Sequence, residues 1–327
     1  MSAPVADPAA GPARPPFGLL LDVDGPIASP VTRSISEPGV LEGLLALASA
    51  GVPIVFNTGR SDAFLRLEVV EPLLAAGFPP GARVHAVCEK GAVWFSITAA
   101  GMGEVSVDES LAVPAAYGQA VERLVDERYC ATMFFDRTKR AMVSVEQRLD
   151  VTAGQYLEQR HAFDADALEA FGVLGLGARW LDEVRPDAAG RVDYRVDPTI
   201  ISTDVESVLL GKDRGAERAL ELLATDGPMP LAWRTVGDSR TDYAMADWLH
   251  AQGLEVAHVD VRPVDGVPAT PYPVLAAQRS TNDVAGAAWL TRLVAVVRGE
   301  AADDAGFDDH LPQAAPGSLA AERGSAA

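Results

Sequence analysis

The sequence predicts an α/β fold: a parallel sheet flanked by helices and interrupted by an inserted α+β domain. Three observations predict it. Apolar runs of strand length alternate with helix-length stretches at both ends of the chain. Three of those runs stop at short polar clusters, Asp22-Val23-Asp24-Gly25, Asn57-Thr58-Gly59-Arg60-Ser61 and Gly237-Asp238-Ser239, and the carboxyl ends of parallel strands are where ligand-binding groups collect. Between residues 91 and 205 the rhythm changes to short strands and separate helices, the size of a second domain.

The elements follow in order. Phe17 to Val23 is a near-continuous apolar run, the pattern of a strand buried on both faces. Pro38 to Ala50 reads as a helix stopped by Gly51, and Val52 to Phe56 as a second strand. Asp62 to Ala76 is an amphipathic helix ended by Gly77, and Arg83 to Cys88 is a third strand. Strand, helix, strand, helix, strand implies parallel pairing with right-handed crossovers. In the insert, Val93 to Thr98, Thr132 to Asp136, Ala141 to Val145 and Val192 to Val196 read as strands, with Arg137-Thr138-Lys139-Arg140 as a hairpin loop. Pro114 to Arg128 and Ala165 to Leu174 read as helices. The α/β rhythm resumes with a helix over 212–223, a strand over 234–236, a helix over 241–252, a strand over 254–259 and a last helix over 282–297. The expected division is a core of residues 17–90 and 206–298, an insert over 91–205, and disordered ends over 1–16 and 299–327.

The 327 residues suit two compact domains, and with 48% of them hydrophobic each can bury a core. A formal net charge of −19 argues against nucleic acid and against an anionic membrane surface as partners. A phosphorylated ligand would need local positive charge or a metal. Cys88 and Cys130 are too few for a disulfide framework, and the five histidines show no zinc spacing. No run approaches membrane-spanning length and the first residues lack a signal-peptide core, so a cytoplasmic protein is expected.

The chemistry is carried by four motifs. Residues i and i+2 of a strand point the same way, so Asp22 and Asp24 emerge together at a strand end. Two carboxylates that close repel unless a cation lies between them, and Mg²⁺ suits an all-oxygen site. One carboxylate can then act as nucleophile and the other as proton carrier. In the second motif the Thr58 hydroxyl and the free N–H groups of the following turn, Gly59 included, can hold a phosphate oxygen; Thr58 or Ser61 also suits the cap of the next helix. The third motif, Gly211-Lys212-Asp213-Arg214-Gly215, offers the Lys212 ammonium to a phosphate. In the fourth, Asp238 lies at a strand end and Asp242 in the first turn beyond it. Asp238 would complete a Mg²⁺ shell with Asp22 and the Asp24 backbone carbonyl.

Asp-Val-Asp-Gly, Thr-Gly-Arg-Ser, Lys-x-x-Gly and Gly-Asp-Ser-x-x-x-Asp, in that order, resemble the signature of the haloacid dehalogenase (HAD)-like phosphohydrolases. The insert between the second and third motifs looks like the large α/β cap of Cof-like and sucrose-phosphate phosphatase-like members. Glu89-Lys90-Gly91-Ala92 is similar to the Asn-Gly-Ala stretch that often precedes such caps, with Lys90 for the usual Asn. The resemblance implies a Rossmann-like core, Mg²⁺ as cofactor, and hydrolysis of a small phosphorylated metabolite, a sugar phosphate, through an aspartyl-phosphate on Asp22. It gives Asp24 the acid–base role, Thr58, Gly59 and Lys212 the phosphate, Asp22, Asp24 and Asp238 the metal, and Asp242 the orientation of the metal shell or of Lys212. Arg60 would touch substrate or pair with a core carboxylate. Phosphoryl transfer to a sugar hydroxyl, and a non-catalytic relative that binds a phosphorylated ligand, share these motifs. Pro26 stands where Thr or Val is usual and removes an N–H from the turn; Thr241 stands where Asn is frequent. Arg137, Lys139, Arg140, Arg148 and Arg179 are candidate contacts for a polar leaving group.

Overall fold

The computed structural model describes residues 14–309. In chain order the first half holds β1 (Phe17–Leu21), α1 (Pro38–Ser49), β2 (Ile54–Asn57), α2 (Asp62–Leu65), α3 (Glu71–Ala75), β3 (Val84–Cys88), β4 (Val93–Thr98), β5 (Gly101–Met102) and β6 (Ser106–Val107). A π-helical segment, Arg66–Val70, joins α2 to α3. Then come α4 (Ala115–Leu124), β7 (Met133–Phe135), β8 (Val143–Gln147), α5 (Ala153–Val173), β9 (Ala178–Trp180), β10 (Glu183–Arg185), β11 (Tyr194–Pro198) and β12 (Ser202–Ser207). The chain closes with α6 (Lys212–Asp226), β13 (Ala232–Gly237), α7 (Tyr243–Ala251), β14 (Val256–Asp260), β15 (Val274–Ala276) and α8 (Asn282–Val297).

Two sheets form. The larger runs β15-β14-β13-β1-β2-β3-β4-β5, with β6 also on β4, and is parallel from β15 to β3. The smaller runs β10-β9-β11-β12-β8-β7. The fold is α/β, with a Rossmann-like core and a separate α+β layer.

β1 is central because Leu19, Leu20 and Leu21 are fully buried on both faces, each contributing about 1.5–3 kcal/mol. One face is covered by α1 and α8, where Gly43 lets the backbone of α1 approach Leu290. The opposite face is covered by α6 and α7 through Ala216, Ala219, Leu223, Met245 and Leu249. Register then sets the site. Leu21 is level with Phe56 of β2 and Val236 of β13, so Asp22, Asn57 and Gly237 leave the sheet at one height.

The sequence reading differs from the structure at several places. It began the insert at residue 91, but β4, β5 and β6 pair antiparallel onto β3 and extend the large sheet. The second apolar cluster starts at Val113 and runs to Val205, with Tyr117 stacked 3.8 Å from Phe171 at its centre. α5 begins at Ala153 rather than near 165, opened by a capping box between Thr152 and Gln155. Residues 299–309, read as disordered tail, pack on the core: Asp304 takes Arg234 at 2.7 and 3.0 Å, and Asp308 accepts the backbone N–H groups of Gln278, Arg279 and Ser280. At the other end Arg14 donates to the carbonyls of Met229 and Pro230. The remainder of both expected disordered ends, 1–13 and 310–327, lies outside the described residues.

Candidate active site

The site is built where β1, β2 and β13 end. The turn after β1 closes with Gly25 N–H on the Ala28 carbonyl (2.9 Å) and the Ile27 and Ala28 N–H groups on the Val23 carbonyl (3.2 and 2.7 Å). None of these bonds needs a donor at position 26, so Pro26 is accommodated. Gly25 has φ +96°, and a Cβ there would lie 2.6 Å from Asp238 Cγ; glycine is required on both counts.

Lys212 lies buried at the start of α6. Its Nζ is 2.7 Å from Asp22 Oδ1 and 2.6 Å from Asp242 Oδ1, and donates to the Asn57 carbonyl at 3.0 Å. Asn57 answers by donating its Nδ2 to the Lys212 carbonyl at 2.8 Å. This clasp of β2 to α6 has room because Gly215 has no side chain to collide with the Asn57 carboxamide. Burial opposes the charge of Lys212, but Asp22 and Asp242 outweigh it and hold the ammonium above its ordinary pKa. Asp22 is raised, by burial first and by Asp242 next, against the pull of Lys212. Asp242 is lowered: burial is overcome by Lys212 and by the Ser239 hydroxyl.

Asp242 Oδ2 accepts from the N–H groups of Asp238 and Ser239 and from Ser239 Oγ (3.2, 3.0 and 2.7 Å). Both its oxygens are therefore engaged, and its place is to fix Lys212 and the turn after β13. Carboxylate oxygens of Asp22, Asp238 and Asp242 lie within 4.8 Å of one another. With Asp242 committed elsewhere, Asp22 and Asp238 are the side chains free to share a hard divalent cation, a donor set that fits Mg²⁺. Asp238 is pushed up to about 6, by burial and then by Asp242, partly offset by Arg262, whose Nε is 3.3 Å from Asp238 Oδ2.

Arg60 holds Asp24 in a fork, with Nε 2.9 Å from Oδ2 and a terminal nitrogen 2.8 Å from Oδ1. Of the two roles expected for Arg60, pairing with a core carboxylate is the observed one. Thr58 is buried, and its hydroxyl accepts the Arg60 N–H at 3.1 Å, leaving the hydroxyl proton for another acceptor. The Gly59 carbonyl accepts Lys139 Nζ at 2.6 Å. All eight predicted residues, Asp22, Asp24, Thr58, Gly59, Arg60, Lys212, Asp238 and Asp242, thus lie at one end of the large sheet.

Above them is a cavity of about 490 Å³ between the two sheets, lined by Asp24, Gly59, Arg60 and Asp238 below and by Lys139, Ser144, Glu146 and Asp204 above. The β7–β8 hairpin closes its inner side. Thr138 donates to Ser61 Oγ (2.7 Å), Arg140 forks onto Asp62 (2.7 and 3.0 Å), and the buried Glu89 accepts the N–H groups of Arg140, Ala141 and Met142. Lys90 reaches the insert as well, 2.9 Å from Glu206 and 3.2 Å from Asp197. Of the basic candidates for the leaving group, Lys139 lines the cavity, while Arg137 pairs with Glu122 and Arg148 with Asp150. Glu89 falls in the Glu89-Lys90-Gly91-Ala92 stretch noted in the sequence, but its contacts, like those of Glu146, Asp204 and Arg262, are not legible there, because their partners are remote in sequence.

No protein-family model matches the chain, and no curated protein sequence does. Solved structures do. The C-terminal domain of trehalose-6-phosphate phosphatase from C. albicans superposes with a TM-score of 0.58 at 13% identity, covering 88% of this chain and 94% of that one. A haloacid dehalogenase-like hydrolase from Bacteroides thetaiotaomicron gives 0.52 at 14%, covering 85% and 99%. The ATP-bound IMP-nucleotidase of Plasmodium falciparum gives 0.53 at 12%, covering 86% and 60%. The chain has the haloacid dehalogenase-like fold, core and cap together.

Proposed function

We propose that this protein of haloacid dehalogenase-like fold is a Mg²⁺-dependent phosphomonoesterase acting on a small polyhydroxylated metabolite, a sugar phosphate. The observation that carries the reading is the buried chain Asp22–Lys212–Asp242 beside Asp24, a carboxylate that lines the cavity between core and cap. A lysine held between two carboxylates is costly to bury for stability alone, and its placement suits charge neutralisation around a phosphoryl group.

In this mechanism Asp22 Oδ1 is held by Lys212 and by the Val23 N–H at 2.7 Å, and Oδ2 attacks phosphorus. An Asp22–phosphate bond forms, the bond to the leaving oxygen breaks, and Asp24 gives that oxygen its proton. Asp24 then takes a proton from water, which attacks the aspartyl-phosphate and restores Asp22. Lys212, the Thr58 hydroxyl and the Gly59 N–H neutralise the non-bridging oxygens. Asp22, Asp238 and the Asp24 carbonyl would hold Mg²⁺, which would supply positive charge to the phosphoryl group. An entering phosphate offers Arg60 another anion, which would loosen the fork and leave the Asp24 oxygens open to the leaving group and to water.

The cavity supports the substrate class. Two of its three cations are already matched, Arg60 by Asp24 and Arg33 by Glu146 at 3.7 Å, and the third, Lys139, donates to the Gly59 carbonyl, while Ser144, Glu146, Ser202 and Asp204 offer partners to hydroxyl groups. That lining suits a neutral polyol leaving group better than a second anion. Phosphate release from a panel of phosphomonoesters, comparing Asp22→Asn with the wild type, tests the proposal.

A further inference from the structure

Every acidic residue of the site is paired with a cation. Lys212 serves Asp22 and Asp242, Arg60 serves Asp24, and Arg262 serves Asp238. The first two cations belong to the motifs legible in the sequence. Arg262 does not: it lies two residues beyond β14, on the outer side of Asp238.

Its position is built. The Val261 N–H donates to the Gly237 carbonyl at 3.0 Å, and the Val261 carbonyl accepts the Asn282 N–H at 3.0 Å. The Arg262 N–H donates to Asp260 Oδ1 at 2.9 Å, and Asp260 Oδ2 in turn accepts the Tyr243 hydroxyl at 2.6 Å. The backbone that delivers Arg262 is thus pinned to the residue preceding Asp238. The guanidinium itself is held more loosely. It makes one contact with Asp238, Nε to Oδ2 at 3.3 Å, and its terminal nitrogen is 3.8 Å from Asp265 on the solvent side. About a third of the side chain is exposed. Among the described residues no other cation pairs with Asp238.

We propose that Arg262 is a displaceable counter-ion of the metal pole: it neutralises Asp238 in the metal-free protein, yields that carboxylate to an entering divalent cation, and turns toward Asp265. The proposal rests on the reading of Asp22 and Asp238 as the cation site. Two like charges cannot share one carboxylate in a partly buried site without a cost. The arginine therefore lowers cation affinity while it stabilises the empty site, where Asp22, Asp238 and Asp242 otherwise stand within 4.8 Å against Lys212 alone. Its function is to keep the pole folded when no cation is bound and to keep cation binding reversible.

The test is calorimetric titration of the full chain with Mg²⁺ alone, for the wild type, Arg262→Gln and Arg262→Lys, with unfolding midpoints in EDTA and in saturating Mg²⁺. Arg262→Gln is expected to bind Mg²⁺ about two- to fivefold more tightly, the range of a partly exposed ion pair. Its midpoint should fall in EDTA and match the wild type in Mg²⁺. Arg262→Lys, which keeps the charge without the guanidinium, should bind as the wild type does. Equal or weaker binding by Arg262→Gln overturns the proposal, since it would make Arg262 an orienting partner of Asp238. So does tighter binding by Arg262→Lys, because charge would then not be the cause. Absence of Mg²⁺ binding in wild type and variants alike overturns both this proposal and the cation-site reading; an affinity unchanged between them overturns this one alone.

Discussion

Arg60 grips both carboxylate oxygens of Asp24, at 2.8 and 2.9 Å, and its remaining terminal nitrogen is 3.8 Å from Glu146 of the cap. One guanidinium thus ties the expected proton carrier of the core to a wall of the cavity. Arg60→Ala leaves Asp24 without its cation and Glu146 with Arg33 alone. It should lower stability by about 1–3 kcal/mol and raise KM more than it lowers kcat. Urea unfolding and steady-state kinetics check both; a variant as stable as the wild type contradicts the account of the pair.

Lys212 is the most committed charge of the site. Lys212→Met removes the cation between Asp22 and Asp242 and should cost about 3–5 kcal/mol, the penalty for breaking a buried pair. Turnover should fall by at least about a hundredfold. Denaturant unfolding and phosphate-release rates measure the two. Loss of turnover without loss of stability would mean that the carboxylates do not depend on Lys212 for their burial.

Glu146 tests the leaving-group side. Glu146→Gln keeps the shape of the cavity wall and removes an acceptor for substrate hydroxyls. KM should rise about tenfold with kcat changed less than threefold, the pattern of lost uniform binding. An equal fall in kcat and kcat/KM would place Glu146 in the chemistry instead.

His258 predicts an acid limb in stability. It is fully buried on β14, 2.8 Å from Thr235 Oγ1 and packed 4.0 Å from the Tyr243 ring. Burial lowers its pKa to about 4 from 6.5. A depressed folded pKa means that the unfolded chain binds the proton first. The neutral imidazole's contribution is therefore complete above pH 6.5 and is lost as the pH falls toward 4. Over that window it amounts to about 2–4 kcal/mol. His258→Gln should be less stable at pH 7 by about 1 kcal/mol for the packing and hydrogen bond, yet show a flatter decline between pH 7 and 4. An identical slope in both proteins would contradict it.

The sequence made the catalytic end of the sheet legible because each motif is contiguous and directly follows an apolar strand. Asp22, Thr58 and Asp238 needed only the rule that ligand groups collect at carboxyl ends of parallel strands. What held the cap down was not legible. Glu89 meets the amides of residues 140–142, and Lys90 meets Glu206 across 116 positions; ion pairs between remote residues leave no periodic trace. The core–insert boundary was misread because antiparallel edge strands after Gly91 look like the start of a new domain. Residues 299–309 were misread because Asp304 and Asp308 anchor them through polar contacts, which an apolar pattern does not reveal. The one missed element with a local signal was the start of α5, where Thr152-x-x-Gln155 is a readable capping box.

The central claim is that Asp22 attacks phosphorus. The most direct measurement is inorganic phosphate released from a panel of sugar phosphates and other phosphomonoesters by wild type and Asp22→Asn, with Mg²⁺ and with EDTA, alongside their unfolding midpoints. The account predicts Mg²⁺-dependent release by the wild type and a loss of at least about a thousandfold in a variant that still folds. Release by Asp22→Asn at the wild-type rate, or none by the wild type from any member of the panel, would contradict it.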